Sequence, residues 1–300
     1  MKILIFFPTL NEAGNVASLL DRISQAMPEA DILVIDDNSN DGTKEILASR
    51  AGGQIRFLVR PGKLGIGTAH LLAWCHAIHH GYDLLVTMDG DHSHDPAELP
   101  KFVAGLEGGR DVIFGSRYRP GGRSDYTGYR NWLSRAANLA CRRLLQIDLA
   151  EFTTSYRLFR VAKLPQIDFA ALLVSGYSFF FMTVVQAKAG GLRLGEVPIH
   201  FHNRNSGSSK IPPLEIFRGL RNLVRVAMTR RRNRAGAVHP QLTGCNACGC
   251  AYSRLVFRRA AGAKGESRAE VTERCLFCGD RGLANRGLAN RGLADRGLAD

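Results

Sequence analysis

The chain lacks the apolar segments that would carry it into or across a membrane. It contains no run of about 18 uninterrupted apolar residues, so we expect no transmembrane helix. The closest candidate, 169–185, is interrupted by serine and glycine and is better interpreted as buried or interfacial. The apolar stretch 3–7 is too short for a secretory signal peptide and is followed by Pro8. We therefore expect a cytoplasmic protein.

Acidic residues are also in deficit, with 27 against 40 basic residues and a net charge of +13. Such a charge fits an anionic partner: a nucleic acid, a membrane surface or a phosphorylated substrate. Interleaved basic and aromatic stretches are missing from 1–230, which argues against a nucleic-acid-binding protein as a whole. At 300 residues and 45% hydrophobic content, the chain can bury one large α/β core and a smaller unit.

Cysteine is scarce until residue 245. Cys75 and Cys141 are isolated in helix-like segments and are expected to be inert core residues. The other five crowd into 245–278, which in a chain without a leader indicates metal binding rather than disulfides. Two Cys-x-x-Cys pairs with zinc-ribbon spacing would supply four thiolates to a structural tetrahedral Zn²⁺. The predicted zinc ligands are Cys245, Cys248, Cys275 and Cys278, with Cys250 as a spare or an alternative ligand.

Short apolar runs alternate with helical stretches up to about residue 115, a pattern typical of a doubly wound sheet. The predicted buried parallel strands are 3–7, 32–35, 55–59, 84–88 and 112–114. The predicted helices between them are 13–26, 42–50, 67–79 and 96–106. Beyond them we predict helices 129–146, 176–190 and 213–229 and a strand at 192–198, with an irregular segment before residue 176. The fold class is therefore α/β, a Rossmann-like, mainly parallel mixed sheet with helices on both faces.

The chain divides into four predicted parts. They are a main α/β domain at 1–230, a basic linker at 231–244, a zinc-ribbon-like module at 245–279 and a tail at 280–300. The tail repeats Arg-Gly-Leu-Ala-Asn/Asp four times. Four such copies are too few to stack a stable core, so we predict a disordered low-complexity segment. The module's partner, whether protein or nucleic acid, stays open.

Polar side chains follow the first four predicted strands, at the edge where open α/β folds bind ligands. We predict that these side chains bind a nucleotide sugar: Asn11 and Glu12, then Asp36 and Asp37, then Lys63 in a glycine-rich loop, and finally Asp89 and Asp91. An Asp-x-Asp pair at a strand end can seat a hard divalent cation that also holds a diphosphate. The glycine-rich loop could approach a phosphate closely. No Gly-x-Gly-x-x-Gly follows the first strand, so this is not the dinucleotide fingerprint.

Seven motifs follow one another in a recognisable order and spacing. They are Pro-Thr-Leu-Asn-Glu at 8–12, the acid-rich turn at 34–43, Met-Asp-Gly-Asp-His-Ser-His-Asp-Pro at 88–96, Gly-Ser-Arg-Tyr at 115–118, Tyr-Arg at 129–130, Glu-Val-Pro-Ile at 196–199 and Gly-Ser-Ser-Lys at 207–210. Over about 1–230 the chain resembles family 2 glycosyltransferases of the GT-A fold, among them the dolichol-phosphate mannose synthases and related polyprenol-phosphate glycosyltransferases. It departs from them at Leu10, commonly aromatic there, and at 151–156, where the family has Asp-x-x-Ser-Gly-Phe.

The resemblance implies a role for each matching residue. Pro8, Glu12 and Asp37 would line the base and ribose of a nucleotide sugar, and Asp89 and Asp91 would hold Mg²⁺ or Mn²⁺ on its diphosphate. The acceptor phosphate would be received by Arg117, Arg130, Arg204 and Lys210. The expected reaction is metal-dependent, inverting transfer of a hexose, mannose from GDP-mannose, to a polyprenyl phosphate. The alternative donor is UDP-glucose or another nucleotide sugar.

The chemistry of the acceptor bears on which catalytic groups are needed. A hydroxyl acceptor needs a general base, whereas a phosphate monoester, with a second pKa of about 6, is largely dianionic at pH 7 and attacks unaided. It needs cations for positioning, ideally guanidinium groups that bind two oxygens. The alternative, a glycan hydroxyl acceptor, would require an acidic base, and Glu151 is the plausible candidate.

Two pairs of histidines lie close to these motifs. His92 and His94 beside the aspartates suggest a zinc hydrolase as an alternative, which we disfavour because the resemblance assigns only the aspartates as ligands. His200 and His202 alternate along an extended strand and so share a face. They lie either near the acceptor site or on the strand surface.

A polyprenyl phosphate lies in a bilayer, so an enzyme without a membrane span must work at the membrane surface. The amphipathic helix 213–229 and the basic run 230–234 could lie on anionic lipid, each basic residue contributing about 1 kcal/mol. The alternative is a helix packed on the catalytic domain. We therefore expect peripheral contact with the cytoplasmic face of a membrane.

Overall fold

The structure is a computed structural model of the chain and describes residues 1–172, 178–203, 221–224, 241–243, 254–258 and 271–276. For Arg130 and the three short C-terminal segments at 241–243, 254–258 and 271–275 it describes the backbone alone. The predictions for the repeat tail and the basic run 230–234 lie outside the described residues, as does most of helix 213–229.

The described strands build one large sheet and two small ones. In chain order they are β1 Ile3–Thr9, β2 Asp31–Asp36, β3 Ile55–Val59, β4 Leu84–Thr87, β5 Val112–Ser116, β6 Arg123–Ser124, β7 Arg157–Arg160, β8 Leu194–Pro198, β9 His200–Phe201, β10 Gln241–Thr243, β11 Arg254–Arg258 and β12 Val271–Cys275. The large sheet has the order β3-β2-β1-β4-β7-β5-β8. Its pairings are parallel except for those of β7, which is antiparallel to both β4 and β5.

Helices cover both faces of this sheet. They are α1 Ala13–Ala26, α2 Thr43–Arg50, α3 Ile66–His79, α4 Leu99–Ala104, α5 Gly128–Leu145, α6 Phe169–Leu172 and α7 Ser178–Ala189. Along β1, Leu4 and Phe6 point into the core cluster that contains α3 and α7, whereas Ile5 and Phe7 point into the cluster that contains α1. The predicted α/β class, with a mixed and mainly parallel sheet between helices, is confirmed.

The amphipathic pattern of α1 shows how local sequence selects its position. Val16, Leu19, Leu20 and Ile23 are all buried, and their spacing of three and four residues places them on one helical face. That face packs against the sheet. In contrast, α3 is buried from residue 67 to residue 77, which leaves it no polar face.

The C-terminal strands form a separate antiparallel sheet, in the order β10-β11-β12. The first of them lies within the stretch predicted as a linker, and the last ends at Cys275. Leu276, directly after it, is fully buried. Throughout the part of the chain that the structure describes, every helix is too short or too polar to cross a bilayer.

His70 is an unfavourably placed side chain of α3. It is buried among Phe6, Phe179 and Phe180. Its Nε2 has no hydrogen-bond partner among the described residues. Burial lowers the pKa of His70 from 6.5 to about 3, with the cations Arg157 and Arg60 adding to the effect.

We predict that His70→Leu makes the protein less sensitive to acid. Below pH 6.5 the unfolded chain binds a proton at His70 that the folded chain rejects, so stability falls as pH drops towards 3. Removing this group should reduce the slope of unfolding free energy by up to about 1.4 kcal/mol per pH unit. Urea unfolding at several pH values measures it, with His79→Leu at an exposed position as control. An unchanged slope would contradict the prediction.

Candidate active site

The buried carboxylate of Asp36 ties the ends of β1 and β2 together. It accepts hydrogen bonds from the Thr9 hydroxyl (2.9 Å) and from the backbone N–H and hydroxyl of Ser39 (2.8 and 2.5 Å). A carboxylate without such partners would be costly to bury. Asp36 therefore shapes the turn that presents Asp37, and its predicted contact with the nucleotide stays a prediction.

Asn11 and Glu12 begin the loop between β1 and α1. Asn11 adopts the left-handed conformation (φ 56°), and its backbone N–H donates to the Ser39 hydroxyl (2.8 Å). The Glu12 N–H donates to the Thr43 hydroxyl (3.0 Å), and its carboxylate accepts from the Asn15 side chain (2.7 Å). The loop after β1 is thus fastened to the loop after β2, and both predicted nucleotide-binding residues lie at this edge.

Asp37 forms an ion pair with Arg60, whose Nε donates to Asp37 Oδ1 at 2.6 Å. The Arg60 side chain is fully buried, and its Nη1 donates to the Thr68 hydroxyl (2.7 Å) and the Leu276 carbonyl (3.3 Å). Burial raises the pKa of Asp37, and the Arg60 guanidinium opposes that rise. Lys63, in the same loop as Arg60, is exposed.

Gly90 fits against β1 because it has no side chain. A Cβ there would lie 2.9 Å from the Pro8 carbonyl oxygen and 3.3 Å from the Phe7 ring. Contacts under 3.0 Å require something to shift, and here the opposing atom belongs to the backbone of a central strand. The loop 88–95 carries both aspartates and is called the aspartate loop. The glycine between the two aspartates therefore sets how closely the aspartate loop approaches Pro8.

Asp89 and Asp91 differ in exposure. The Asp89 side chain is 29% exposed and accepts a hydrogen bond from the Ser155 hydroxyl (2.5 Å). Asp91 is nearly buried and accepts from the Ser93 N–H (3.1 Å). An all-oxygen donor set with one carboxylate open to solvent fits Mg²⁺ or Mn²⁺.

Ser155 is a site residue that sequence reasoning missed, because β7 was predicted as irregular. Since β7 runs antiparallel to β4, the residues just before β7 lie beside the carboxyl end of β4, where Asp89 follows. The Thr87 hydroxyl donates to the Ser155 carbonyl (2.5 Å) at the same junction. Recognition of Arg157–Arg160 as a strand would have predicted this neighbour.

His92 and His94 are engaged within the chain. His94 is buried, and its Nδ1 accepts the Asp89 backbone N–H (3.0 Å). Burial lowers its pKa, which keeps the ring neutral. The His92 ring faces α1, with Nε2 2.8 Å from the Ser18 hydroxyl and Nδ1 3.3 Å from Arg22. These contacts argue against the zinc-hydrolase alternative.

Arg117 and Glu151 form a buried bidentate ion pair. Arg117 Nε and Nη2 lie 2.8 and 2.9 Å from the two carboxylate oxygens of Glu151, and the Thr153 hydroxyl donates to the same carboxylate (2.7 Å). Although burial alone would raise it, the Arg117 guanidinium lowers the pKa of Glu151. Removing one partner of such a pair typically costs about 3–5 kcal/mol. Glu151 is therefore ionised and hydrogen-bonded, which makes it a poor general base.

Glu196 on β8 supports this pair from behind. Its buried carboxylate accepts the backbone N–H groups of Ala150 and Glu151 (both 2.9 Å) and pairs with Arg119 Nε (2.8 Å). It thereby fixes the segment that carries Glu151, and through it the direction of Arg117. One signal in the sequence could have indicated this role. Glu196 is an acidic residue within a predicted strand, and such a residue needs hydrogen-bond donors if it is buried.

The sequence profile described as "Glycosyl transferase family 2" matches residues 4–167, more than half of the chain. The chain belongs to this family. The resemblance seen in the motifs is thereby confirmed, and the protein is a glycosyltransferase.

Two relatives cover most of this glycosyltransferase. The polyprenol monophosphomannose synthase of Mycolicibacterium smegmatis is 34% identical over 244 residues, which are 78% of this chain and 90% of the relative. The undecaprenyl-phosphate mannosyltransferase of Micrococcus luteus is 34% identical over 234 residues, 77% of this chain and 96% of the relative.

A solved structure supports the fold. Glucosyl-3-phosphoglycerate synthase from Mycobacterium tuberculosis, in complex with Mn²⁺, UDP and glucosyl-3-phosphoglycerate, aligns with a TM-score of 0.53 over 80% of this chain and 84% of its own. Its sequence identity is 20%, so the likeness concerns the fold alone.

For two residues predicted to bind the acceptor phosphate or zinc, the structure describes only the backbone. Arg130 lies in the first turns of α5 and Cys275 ends β12, each with its backbone alone described. The predictions for five further residues lie outside the described residues: Arg204, Lys210, Cys245, Cys248 and Cys278.

We predict that Gly90→Ala impairs the glycosyltransferase without unfolding it. The added methyl would push the aspartate loop away from Pro8, and a shift of about 1 Å in an active site can cost about 10²-fold in rate. Initial rates of sugar transfer and thermal melting measure the two effects. Ser49→Ala, at an exposed position of α2, is the control. Equal rates for the two variants would contradict the prediction.

Proposed function

We propose that this glycosyltransferase moves a mannosyl residue from GDP-mannose to the phosphate of a polyprenyl lipid, with inversion at C1. The observation that carries the proposal is the buried Arg117–Glu151 pair. It presents a guanidinium beside the aspartate loop and occupies the carboxylate that would otherwise be the candidate base. The names of the two mannosyl-transferring relatives support the same substrate classes.

Arg117 is the cation that we propose for the acceptor phosphate. Among the described residues, the hydrogen bonds of Arg117 use Nε and Nη2, so Nη1 remains available for an anion. The guanidinium carbon lies 5.0 Å from the Phe201 ring centre, and the same ring contacts His94, which binds the Asp89 N–H. An acceptor phosphate at Arg117 would therefore lie on the side of the site next to the aspartates.

The reaction needs no proton transfer from the acceptor. A phosphate oxygen of the lipid attacks C1 of the sugar, the bond from C1 to the diphosphate oxygen breaks, and the electron pair leaves with the nucleotide diphosphate. Asp89 and Asp91 would hold the divalent cation, which when bound supplies charge neutralisation on the diphosphate. Arg117 orients the attacking phosphate, with Arg130, Arg204 and Lys210 as further proposed contacts.

The donor nucleotide would bind where the loops after β1, β2 and β3 meet. Pro8 and Glu12 line one side, and Asp37, held by Arg60, lies on the other. Asn11 and the exposed Lys63 border the same edge, where Lys63 is free to reach a phosphate oxygen. These roles rest on position and on the family motifs.

A transfer assay tests the reaction. We expect the protein with Mn²⁺ to move radiolabel from GDP-mannose into the lipid extract when undecaprenyl phosphate is present. Asp91→Asn should lower the rate by about 10²–10³-fold. The reason is that the divalent metal ion, which stabilises the developing charge on the diphosphate, loses one of its two proposed carboxylate ligands. Asp148→Asn, at an exposed position, should leave the rate unchanged.

Other outcomes of that assay distinguish the alternatives. Label from UDP-glucose instead of GDP-mannose would replace the donor and keep the acceptor. Label that enters only a soluble glycan would overturn the lipid phosphate and restore the hydroxyl acceptor. Full activity of Asp91→Asn would contradict the proposed role of Asp91 as a ligand of the divalent cation.

We also propose that the protein binds the membrane surface through α5. This helix exposes large apolar side chains beside the exposed cations Arg142 and Arg143. The apolar ones, with their exposed fractions, are Tyr129 (71%), Trp132 (66%), Leu139 (51%) and Leu144 (45%). Aromatic and basic residues on one helix are typical of contact with anionic lipid. This proposal for α5 does not rest on the prediction made for helix 213–229.

We predict that the double variant Trp132→Ser/Leu139→Ser binds anionic vesicles at least about tenfold more weakly. Each side chain is worth about 1.5–3 kcal/mol when buried, and 1.4 kcal/mol corresponds to tenfold. Cosedimentation with phosphatidylglycerol vesicles measures it, with zwitterionic vesicles and the exposed-site variant Glu107→Ser as controls. Equal binding of variant and wild type would exclude α5 as the contact.

The four-cysteine zinc site stays a proposal. Its observable neighbour is the antiparallel sheet β10–β12, whose last strand ends at Cys275. A Cys275→Ser/Cys278→Ser variant that keeps the zinc content of the wild type would overturn it.

A further inference from the structure

Asp125, His200 and His202 form a cluster that the proposed reaction does not use. His200 Nε2 lies 2.6 Å from Asp125 Oδ1, and His202 Nδ1 lies 3.3 Å from Asp125 Oδ2. The imidazole ring centres are 4.0 Å apart. One ligand atom from each residue can be chosen so that all three lie within 4.8 Å of one another. Each side chain is about one third exposed, so the cluster is open to solvent.

The backbone holds these three residues in place. β6 and β9 pair in parallel with Arg123 opposite His200, and the Asp125 N–H donates to the Phe201 carbonyl (2.9 Å). The His202 N–H donates to the Ser93 carbonyl (3.0 Å) in the aspartate loop. The alternation noted in the sequence is thus real, and it directs both imidazoles towards one carboxylate.

We propose that Asp125, His200 and His202 bind a divalent transition-metal ion, and that Zn²⁺ is the best match. Two neutral imidazoles with one carboxylate are a common zinc donor set, and three protein ligands leave a coordination position for water or another oxygen. The pair Asp89 and Asp91 offers oxygen alone, which suits Mg²⁺ or Mn²⁺. The two sites therefore select different ions by ligand chemistry.

The position of the cluster gives the ion a structural task. Phe201, between the two histidines, packs on His94 and beneath the Arg117 guanidinium. The chain then passes through Asn203 directly to Arg204, a proposed ligand of the acceptor phosphate. An ion bound to His200 of β9, to His202 just after β9 and to Asp125 would fix this segment on the acceptor side of the active site. Its binding is independent of the proposed reaction.

Zinc binding by the full-length protein tests the site. After removal of metals with a chelator, the protein is titrated with ZnCl₂, and bound zinc is counted by mass spectrometry of the metal. His200→Gln/His202→Gln should bind one zinc ion fewer per chain than the wild type. Histidine side-chain nitrogen NMR should show zinc-dependent shifts that disappear in this variant. Asp125→Asn should weaken binding by about tenfold or more, since even changes beyond the ligands cost 10–100-fold.

Two controls separate this site from other metal ligands. His79→Gln/His80→Gln removes another pair of adjacent imidazoles, whose ring centres are 4.9 Å apart, and should keep the zinc count. Asp89→Asn and Cys275→Ser/Cys278→Ser should each keep the zinc-dependent histidine shifts. The proposal is overturned if His200→Gln/His202→Gln, folded by circular dichroism, binds as much zinc as the wild type. It is also overturned if the histidine shifts vanish only with the cysteines.

Discussion

The parallel pairing of β1 with β4 determines where the functional loops of this protein lie. The register runs from Ile3 opposite Leu84 to Phe6 opposite Thr87, where β4 ends, while β1 continues to Thr9. The peptide after β4 must therefore pass the Pro8 carbonyl within van der Waals distance, and Gly90 permits this. The flanking carboxylates are consequently placed by main-chain contact with a central strand of the sheet.

Much of the fold could be predicted because parallel strands are buried on both faces and leave plain apolar runs. The strand of the large sheet that escaped prediction, β7, begins with Arg157, which suggests a surface segment. In the structure Arg157 is fully buried, and its guanidinium donates to the carbonyls of Thr154, Phe152 and Phe180. A buried cation whose Nε and Nη2 donate to backbone oxygens has no signature in a hydropathy pattern. Because β7 was not predicted, its neighbour Ser155 was not predicted as the partner of Asp89.

The candidate site was predictable in residue type but less so in the use of each residue. Asp36 and Asp37 are adjacent and equally acidic, and only the three-dimensional surroundings distinguish them. The first is enclosed by hydroxyl and N–H donors, whereas the second meets a guanidinium. Glu151 shows the same limit, because its availability as a base depends on Arg117, 34 residues away in sequence. Pairings at such distances come from topology, which motifs do not encode.

Arg60 belongs to two parts of the molecule at once. One side of its guanidinium holds Asp37, at the edge where the donor nucleotide is proposed to bind, and another donates to the Leu276 carbonyl just after the last strand of the C-terminal sheet. Coupling between two binding events is reciprocal in free energy. If nucleotide binding changes the equilibrium for packing of that segment on Arg60 by some factor, packing of the segment changes nucleotide affinity by the same factor. Through this one side chain, the cysteine-bearing end of the chain is joined by a hydrogen bond to the residue that holds Asp37.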